Sequence, residues 1–255
     1  MTNDLQRANM WKRISAFLFD AILAVILAVG FGYLLSLLMG TDKRYGELES
    51  FYLRYETEYG IDLDISEKEY LALDEETKAR FDAAGEAMSA DAGLISLYNQ
   101  VVSQSILIVS LSILLAFLVW EFVLPLCLRN GQTPGKKIFG IAVMHPNSVR
   151  IRPAAVFVRG ILGKCVLETM LPAFVLMWTF LQGSGLFGLL FAAGLGLIQL
   201  IAMIATRTNS AIHDLMAYTV AVELSSQMIF DTPEAAEAYY RREQQRREQS
   251  LSSPY

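Results

Sequence analysis

Ionisable side chains with the potential for chemistry lie inside long apolar stretches of this 255-residue chain. They form an intramembrane charge cluster of three acids and two bases: Asp20, Glu121, Arg159, Lys164 and Glu168. Each would cost about 2.5–3.5 kcal/mol if it stood alone at the centre of a bilayer, so we expect these groups to pair with one another. Arg159 or Lys164 is the expected partner of Asp20.

The charge balance of this cluster leaves two interpretations open. Three acids face two bases, so one acid is formally in excess. A fully paired cluster would be structural and would specify how the helices dock. An acid without a partner would instead bind a proton or a small cation, because burial raises the pKa of a carboxylate toward physiological pH.

The segments that carry these charges are long enough to cross a membrane. The chain is 54% hydrophobic and 18% charged, with a mean hydropathy of +0.37, whereas soluble domains carry about 25% charged residues. A bilayer core needs roughly 20 apolar residues in a helix, and four stretches qualify: 14–39, 103–128, 153–181 and 186–206. The sequence therefore predicts an all-α membrane protein with four transmembrane helices in two antiparallel pairs.

Loop charge predicts the orientation of these helices. Basic residues flank the first helix (Arg7, Lys12 and Arg13, against Asp4), fill the loop 129–152 and begin the segment after the fourth helix with Arg207. The segment 41–102 instead has six basic and fifteen acidic residues, a net charge of −9. Because basic loops stay in the cytoplasm, both termini are expected there, in an N-in/C-in topology.

The same features divide the chain into four parts. Residues 1–40 hold the N-terminal segment and the first helix, and 41–100 form an acidic extracytoplasmic insertion. Residues 101–224 form a membrane core with helices two to four, and 225–255 form a charged cytoplasmic tail. Inside the insertion, the capping-box pattern Ser66–Glu69 predicts a helix start, and a second helix would place Leu73, Phe81 and Ala84 on one side. Thr232-Pro233-Glu234 predicts the start of a helix in the tail.

A glycine-rich stretch after the second helix, GQTPGKKIFGIAV, needs a separate interpretation. Its motif loop contains Gly131, Thr133, Pro134, Gly135 and Lys136. It is one residue too short for a phosphate-binding P-loop, and the residue after the lysine is Lys137 rather than Ser or Thr. A Pro-Gly turn that presents the two lysines to lipid headgroups or to the helix bundle fits the sequence better.

Other chemical signals are weak. His145 and His213 have no metal-ligand spacing, and neither a nucleophile elbow nor a basic nucleic-acid face occurs. We therefore expect no catalytic residues, no cofactor, no metal and no nucleic-acid partner. An enzyme acting on lipid headgroups would have His213-Asp214 as its only candidate pair.

Three motifs together resemble the RDD family of bacterial and archaeal inner-membrane proteins, named for one arginine and two aspartates. They are WKRISAFLFDAILA, with Arg13 and Asp20; GQTPGKKIFGIAV; and HDLMAYTVAV, with Asp214. The resemblance covers about residues 8–40 and 101–224. The family usually reads AGT where this chain has Ala217-Tyr218-Thr219, and the insertion is longer than the family minimum.

The resemblance implies a bacterial plasma-membrane protein for which transport is the proposed role. It adds the hypothesis that Arg13 and Asp214 form an ion pair that closes the bundle, with Asp20 and Glu121 as an inner site. We expect a small transporter that couples protons to a monovalent cation or small solute. We also expect it to work as a homo-oligomer. The alternative is a non-transporting module for membrane assembly, lipid interaction or sensing, with the acidic insertion and charged tail as its contact surfaces.

Overall fold

The computed structural model describes residues 5–206 and 208–252; Asp4 and Arg207, which entered the loop-charge argument, lie outside them. The helices are α1 (Met10–Leu38), α2 (Thr41–Tyr59), α3 (Glu67–Leu71), α4 (Glu75–Ala90), α5 (Ala92–Leu118), α6 (Leu124–Cys127), α7 (Pro134–Ile138), α8 (Pro153–Phe157), α9 (Leu171–Leu181), α10 (Gly185–Ala205), α11 (Ile212–Met216) and α12 (Pro233–Ser252). Two π-helical segments, π1 (Val119–Val123) and π2 (Val158–Met170), and two strands, β1 (Ile141–Met144) and β2 (Val220–Glu223), complete the described elements.

Four helices within the described residues are long and apolar enough to cross a membrane. They are Met10–Leu38, Ala92–Cys127, Pro153–Leu181 and Gly185–Ala205. The predicted all-α membrane protein with four membrane-length helices is therefore confirmed, although the second helix begins at Ala92 rather than at residue 103. The arrangement in two antiparallel pairs and the N-in/C-in orientation stay predictions, although α9 and α10 do pack against each other.

Two of the four helices change from α to π geometry partway along. The second passes from α5 through π1 into α6, and the third passes from α8 through π2 into α9. Each π segment ends just before a proline, Pro125 or Pro172. A proline cannot donate to the carbonyl four residues earlier and its ring clashes with that carbonyl; the residues at that spacing are Glu121 and Glu168. A wider helical turn accommodates the mismatch, and π turns occur often at functional sites.

The chain divides into two compact units, and the insertion lies in the unit formed by residues 26–115. Its core consists of Leu48, Tyr55, Leu94 and Val101. The second long helix begins at Ala92, well before the apolar stretch predicted for it, because its first turns pack in this core.

The two helices predicted inside the insertion are both present. Glu69 donates its backbone N–H to Ser66 Oγ at 3.3 Å, and Ser66 N–H donates to Glu69 Oε2 at 2.8 Å. This capping box begins α3 as predicted. The second predicted helix is α4, on which Ala84 is buried and Phe81 meets Tyr70 edge to face. It begins at Glu75, so the prediction that Leu73 lies on the same helix is wrong.

The other unit, up to Val25 and from Ala116 onward, contains a small sheet that the sequence analysis did not predict. Strands β1 and β2 pair antiparallel, with Ile141 opposite Glu223 and Met144 opposite Val220. These strands lie at the apolar ends of two of the sequence motifs, GQTPGKKIFGIAV and HDLMAYTVAV. The N-terminal segment adds to the same sheet, since Ala8 N–H donates to the carbonyl of Ala221 at 3.2 Å.

The charged tail belongs to this same unit. Helix α12 begins at Pro233 as predicted, and Thr232 Oγ1 accepts the backbone N–H of Ala235 at 3.2 Å. Near the start of the tail, Phe230 and Tyr240 pack edge to face. The Tyr240 hydroxyl lies 2.8 Å from Ser148 Oγ.

Candidate functional site: a buried charge network

Asp214 is the centre of a network of ionisable side chains within the unit that holds the sheet. It lies in the short helix α11, is completely buried, and meets two arginines. Arg159 of π2 donates from Nε to Oδ1 at 2.8 Å, and Arg13 of α1 donates from Nη2 to Oδ2 at 3.2 Å. The pair hypothesised for Arg13 and Asp214 is thus present, but Arg159 shares it.

His213, the residue before Asp214, binds Glu168 of π2 and so connects this glutamate to the network. His213 N–H donates to Glu168 Oε1 at 3.0 Å, and its Nδ1 lies 2.9 Å from the same oxygen. This close approach of α11 to π2 requires Gly163, because a Cβ there would lie 2.6 Å from the His213 Cβ. Burial lowers the pKa of His213, which favours the neutral ring near physiological pH.

Asp20 has different partners from those predicted. Its Oδ1 accepts the backbone N–H of Gly135 at 2.8 Å, and its Oδ2 accepts the hydroxyl of Thr133. The expectation that Arg159 or Lys164 pairs with Asp20 is therefore wrong. The start of α7 reaches the carboxylate instead, because Gly135 has no Cβ to clash; a Cβ would lie 2.8 Å from Asp20 Cγ. Backbone and hydroxyl donors form strong hydrogen bonds to an ionised carboxylate, although they do not neutralise its charge.

Glu121 and Lys164 form a separate ion pair between the two π segments. Lys164 Nζ lies 2.5 Å from Glu121 Oε1, and both side chains are mostly buried. Gly160 of π2 lies against the backbone of Glu121, since an added Cβ would meet the Glu121 carbonyl oxygen and stand 3.1 Å from its carbonyl carbon. Glu121 therefore binds Lys164. It makes no direct hydrogen bond with Asp20, the residue hypothesised to form an inner site with it.

Lys136 is a member of the network that the sequence analysis did not include in the charge cluster. Its Nζ is buried and has no hydrogen-bond partner in residues 5–206 and 208–252. Burial, together with the positive charges of Lys164 and Arg159, lowers the pKa of Lys136 to about 7, although Glu121 and Asp20 act to raise it. The adjacent Lys137 is exposed. Of the two lysines predicted to face headgroups or the bundle, Lys136 faces the bundle.

The charges of the network balance when all four bases are protonated. Within the part of the chain that the structure describes, the four acids are Asp20, Glu121, Glu168 and Asp214, and the four bases are Arg13, Lys136, Arg159 and Lys164. Burial alone would raise the pKa of Asp214, but its cationic neighbours, Arg159 foremost, hold it well below its ordinary value. The excess acid inferred from the sequence therefore disappears once Arg13, Lys136 and Asp214 are counted.

A small cavity lies beside this network. It has a volume of about 10 Å³ and is lined in part by Glu121, Arg159 and Gly160. That volume is close to the minimum that one water molecule needs. The described residues include no group of three His, Cys, Asp or Glu side chains arranged to hold a metal ion.

Sequence reasoning found most members of the network but not their connections. It missed His213 as the partner of Glu168, Thr133 as a donor to Asp20, and Lys136 as a buried charge. Two signals were available in the sequence: Gly160 directly follows Arg159 and Gly163 directly precedes Lys164, and Gly135 precedes Lys136. Glycines next to charged residues in a helix indicate close approach of another segment.

Comparison with known proteins supports the resemblance. No curated protein and no solved structure matches the chain. The sequence profile described as "RDD family" matches residues 7–218, which include Arg13, Asp20 and Asp214. The chain belongs to the RDD family.

Proposed function

We propose that this membrane protein is a small transporter that couples protons to a monovalent cation or small solute. The observation that carries the proposal is the buried network of four acids and four bases, drawn from three of the four membrane-length helices and from α7 and α11. Ionisable side chains inside a membrane are costly and usually mark ion or proton pathways. The network contains every charged side chain of the four membrane-length helices except Lys12.

The arrangement of the network also favours a role in transport over a purely structural role in holding the helices together. Asp20, Thr133 and Gly135 connect α1 to α7, and Asp214 connects α1 to π2 through two arginines. Both π segments carry members of the network, and π geometry weakens the regular helix ladder. Such segments can change geometry at lower cost than a regular α-helix.

We place the protein in a bacterial inner membrane with both termini in the cytoplasm. The support is the loop charge: the segment 129–152 is basic and lacks acids, and the insertion carries a net charge of −9. A homo-oligomer is the expected working form. Gly194 and Gly196 of α10 have open space where a Cβ would stand, which suits packing against a second copy.

A non-transporting module for assembly, lipid interaction or sensing is the second candidate. The observation that favours it is the balance of the network, since four acids matched by four bases suit a purely structural role. The two candidates differ in one measurable respect: the transporter requires the network to gain and lose a proton during its cycle, and the module does not.

The experiment is a pH-dye flux assay with the purified full-length protein in proteoliposomes. The vesicles are challenged with Na⁺, K⁺ and Li⁺ under a pH gradient, beside Asp20→Asn and the exposed-acid control Asp231→Asn. Cation-dependent proton movement that Asp20→Asn abolishes and Asp231→Asn retains supports the transporter. Absence of flux with a folded wild type contradicts cation/proton exchange and favours the second candidate.

A further inference from the structure

We propose that Lys136 carries the exchangeable proton of the buried charge network, and that proton loss from its buried, unpartnered ammonium leaves the network with one net negative charge. The coupling part of this inference rests on the proposed transport. The titration of Lys136 itself does not depend on it.

The buried Nζ of Lys136 lacks a hydrogen-bond partner in the described residues. Buried polar groups almost always have one, and a buried charge without one is strongly unfavourable. The other bases have acceptors: Arg13 and Arg159 bind Asp214, and Lys164 binds Glu121. Lys136 Nζ has none in the described residues. The ammonium of Lys136 is therefore less well stabilised than the cations of the other three bases, each of which has a carboxylate partner.

Charges of both signs face Lys136 from the neighbouring elements. Lys164 and Arg159 of π2 repel its ammonium, while Glu121 of π1 and Asp20 of α1 attract it. Asp214 of α11 also lies within electrostatic range. The three acids already accept hydrogen bonds from other donors. Repulsion and burial together bring the pKa of Lys136 to about 7, near the pH of a cell.

Lys136 also lies in the motif loop directly beside the groups that bind Asp20. Its own backbone N–H points to Thr133 Oγ1, 3.5 Å away, and the same hydroxyl donates to Asp20. The residue before it, Gly135, supplies the second donor to Asp20. The turn that holds the Asp20 carboxylate therefore also carries the lysine, so a change in charge at Nζ acts directly on the environment of Asp20.

The charge arithmetic gives the stoichiometry. With Lys136 protonated, four acids and four bases cancel. When the ammonium releases H⁺, the electron pair stays on nitrogen and the network carries a net charge of −1. One monovalent cation restores neutrality. The exchange expected is therefore one proton for one positive charge, and neither redox chemistry nor a covalent step is needed.

The first test is NMR of full-length protein labelled at the lysine side chains, in detergent. We expect one lysine ¹³Cε resonance to titrate with a midpoint near the pKa of about 7 found for Lys136. That resonance should disappear in Lys136→Met and remain in Lys137→Met, a control at the exposed neighbouring lysine. If Lys136→Met does not fold, Lys136→Gln is used for the assignment. A wild type in which all lysine resonances titrate above about pH 9, as ordinary lysines do, would overturn the inference.

The second test separates a proton carrier from a structural cation. Lys136→Arg keeps the positive charge but does not release its proton, because arginine stays protonated in proteins. Coupled proton flux should be lost in Lys136→Arg and in Lys136→Met, and retained in Lys137→Met. Rescue of flux by Lys136→Arg would contradict the assignment. If the wild type shows no flux but the lysine resonance titrates as expected, the transport proposal fails while Lys136 remains the titrating group.

Discussion

Arg159 donates a hydrogen bond from Nε to Oδ1 of Asp214 across 2.8 Å, although the two residues are 55 positions apart in the chain. Both groups are almost completely inaccessible to solvent. Arg13 binds the other carboxylate oxygen at 3.2 Å. One aspartate therefore holds arginines from two membrane-length helices, and Arg13, Asp20 and Asp214 all belong to one larger network.

Loss of the charge on Asp214 should destabilise the protein strongly. Asp214→Asn leaves Arg13 and Arg159 facing each other without an anion, and breaking a buried pair on one side costs about 3–5 kcal/mol. We expect a large fall in the apparent Tm of the detergent-solubilised protein. Glu223→Gln, which breaks the more exposed pair with Lys12, is the control and should cost no more than about 1 kcal/mol. Equal melting of the two variants would contradict the central role of Asp214.

Exchanging the charges of Arg13 and Asp214 should fail to restore stability. The double variant Arg13→Asp, Asp214→Arg places the new arginine beside Arg159, which itself binds residue 214 at 2.8 Å. The swap therefore replaces one favourable pair by a repulsion. A double-mutant cycle with Arg13→Gln and Asp214→Asn measures the coupling instead, and we expect a coupling energy of about 0.5–3 kcal/mol, as for residues in one ion-pair network. Full rescue by the swap would show that Arg159 contributes nothing to holding residue 214.

The Thr133 hydroxyl should be more important than its small size suggests. Thr133→Val keeps the shape of the side chain but removes a hydrogen bond to the charged Asp20, and such bonds contribute about 1.5–3 kcal/mol. Thr133→Ser retains the hydroxyl and should retain most of the stability. The comparison of apparent Tm values tests this directly; a Val variant as stable as the Ser variant would mean that Gly135 N–H alone suffices for Asp20.

Three glycines should not tolerate alanine. A Cβ at Gly163 would lie 2.6 Å from the His213 Cβ, and one at Gly135 would lie 2.8 Å from Asp20 Cγ. A Cβ at Gly160 would press on the backbone of Glu121. Overpacking typically costs about 1–3 kcal/mol, so each of the three alanine variants should melt earlier than wild type.

Gly30→Ala in α1 is the matched helical control, because nothing lies within 4 Å of the position that a Cβ would take there. Its apparent Tm should stay at or above the wild-type value, since alanine favours the helix by up to about 1 kcal/mol over glycine. If the control lost as much stability as the three network glycines, helix geometry rather than close approach would explain the effect.

Tyr218 stands in a backbone conformation that glycine prefers. Its φ is 51°, and its side chain is 69% exposed. A tyrosine at this positive φ carries a local backbone strain that glycine would not carry. We expect Tyr218→Gly to be close to wild type in apparent Tm, and Tyr218→Val to be lower, because β-branched residues tolerate positive φ worst. Reversal of that order would mean that the ring itself, near His145, dominates the stability at this site.

The number of membrane-length helices could be predicted from the sequence because hydropathy is local and additive. Four apolar stretches needed no knowledge of their neighbours, and the cap signals at Ser66 and Thr232 act within one helical turn. The main error in bounds arose at the second helix. Its first turns are held by contacts with Leu48 and Tyr55, and hydropathy does not report such packing.

The sequence by itself determined which charges enter the membrane part of the chain, and only the tertiary structure decided how they pair. Asp20 had several partners of suitable charge, and it binds Thr133 and Gly135 instead. The pairing of β1 with β2 and the burial of Lys136 were equally unforeseen. The physical reason is range: hydrophobic burial sums over a whole helix, whereas a hydrogen bond or ion pair depends on a few ångströms between segments distant in sequence. Close approaches at Gly135, Gly160 and Gly163 set some of those distances, and they exist only once the segments have packed.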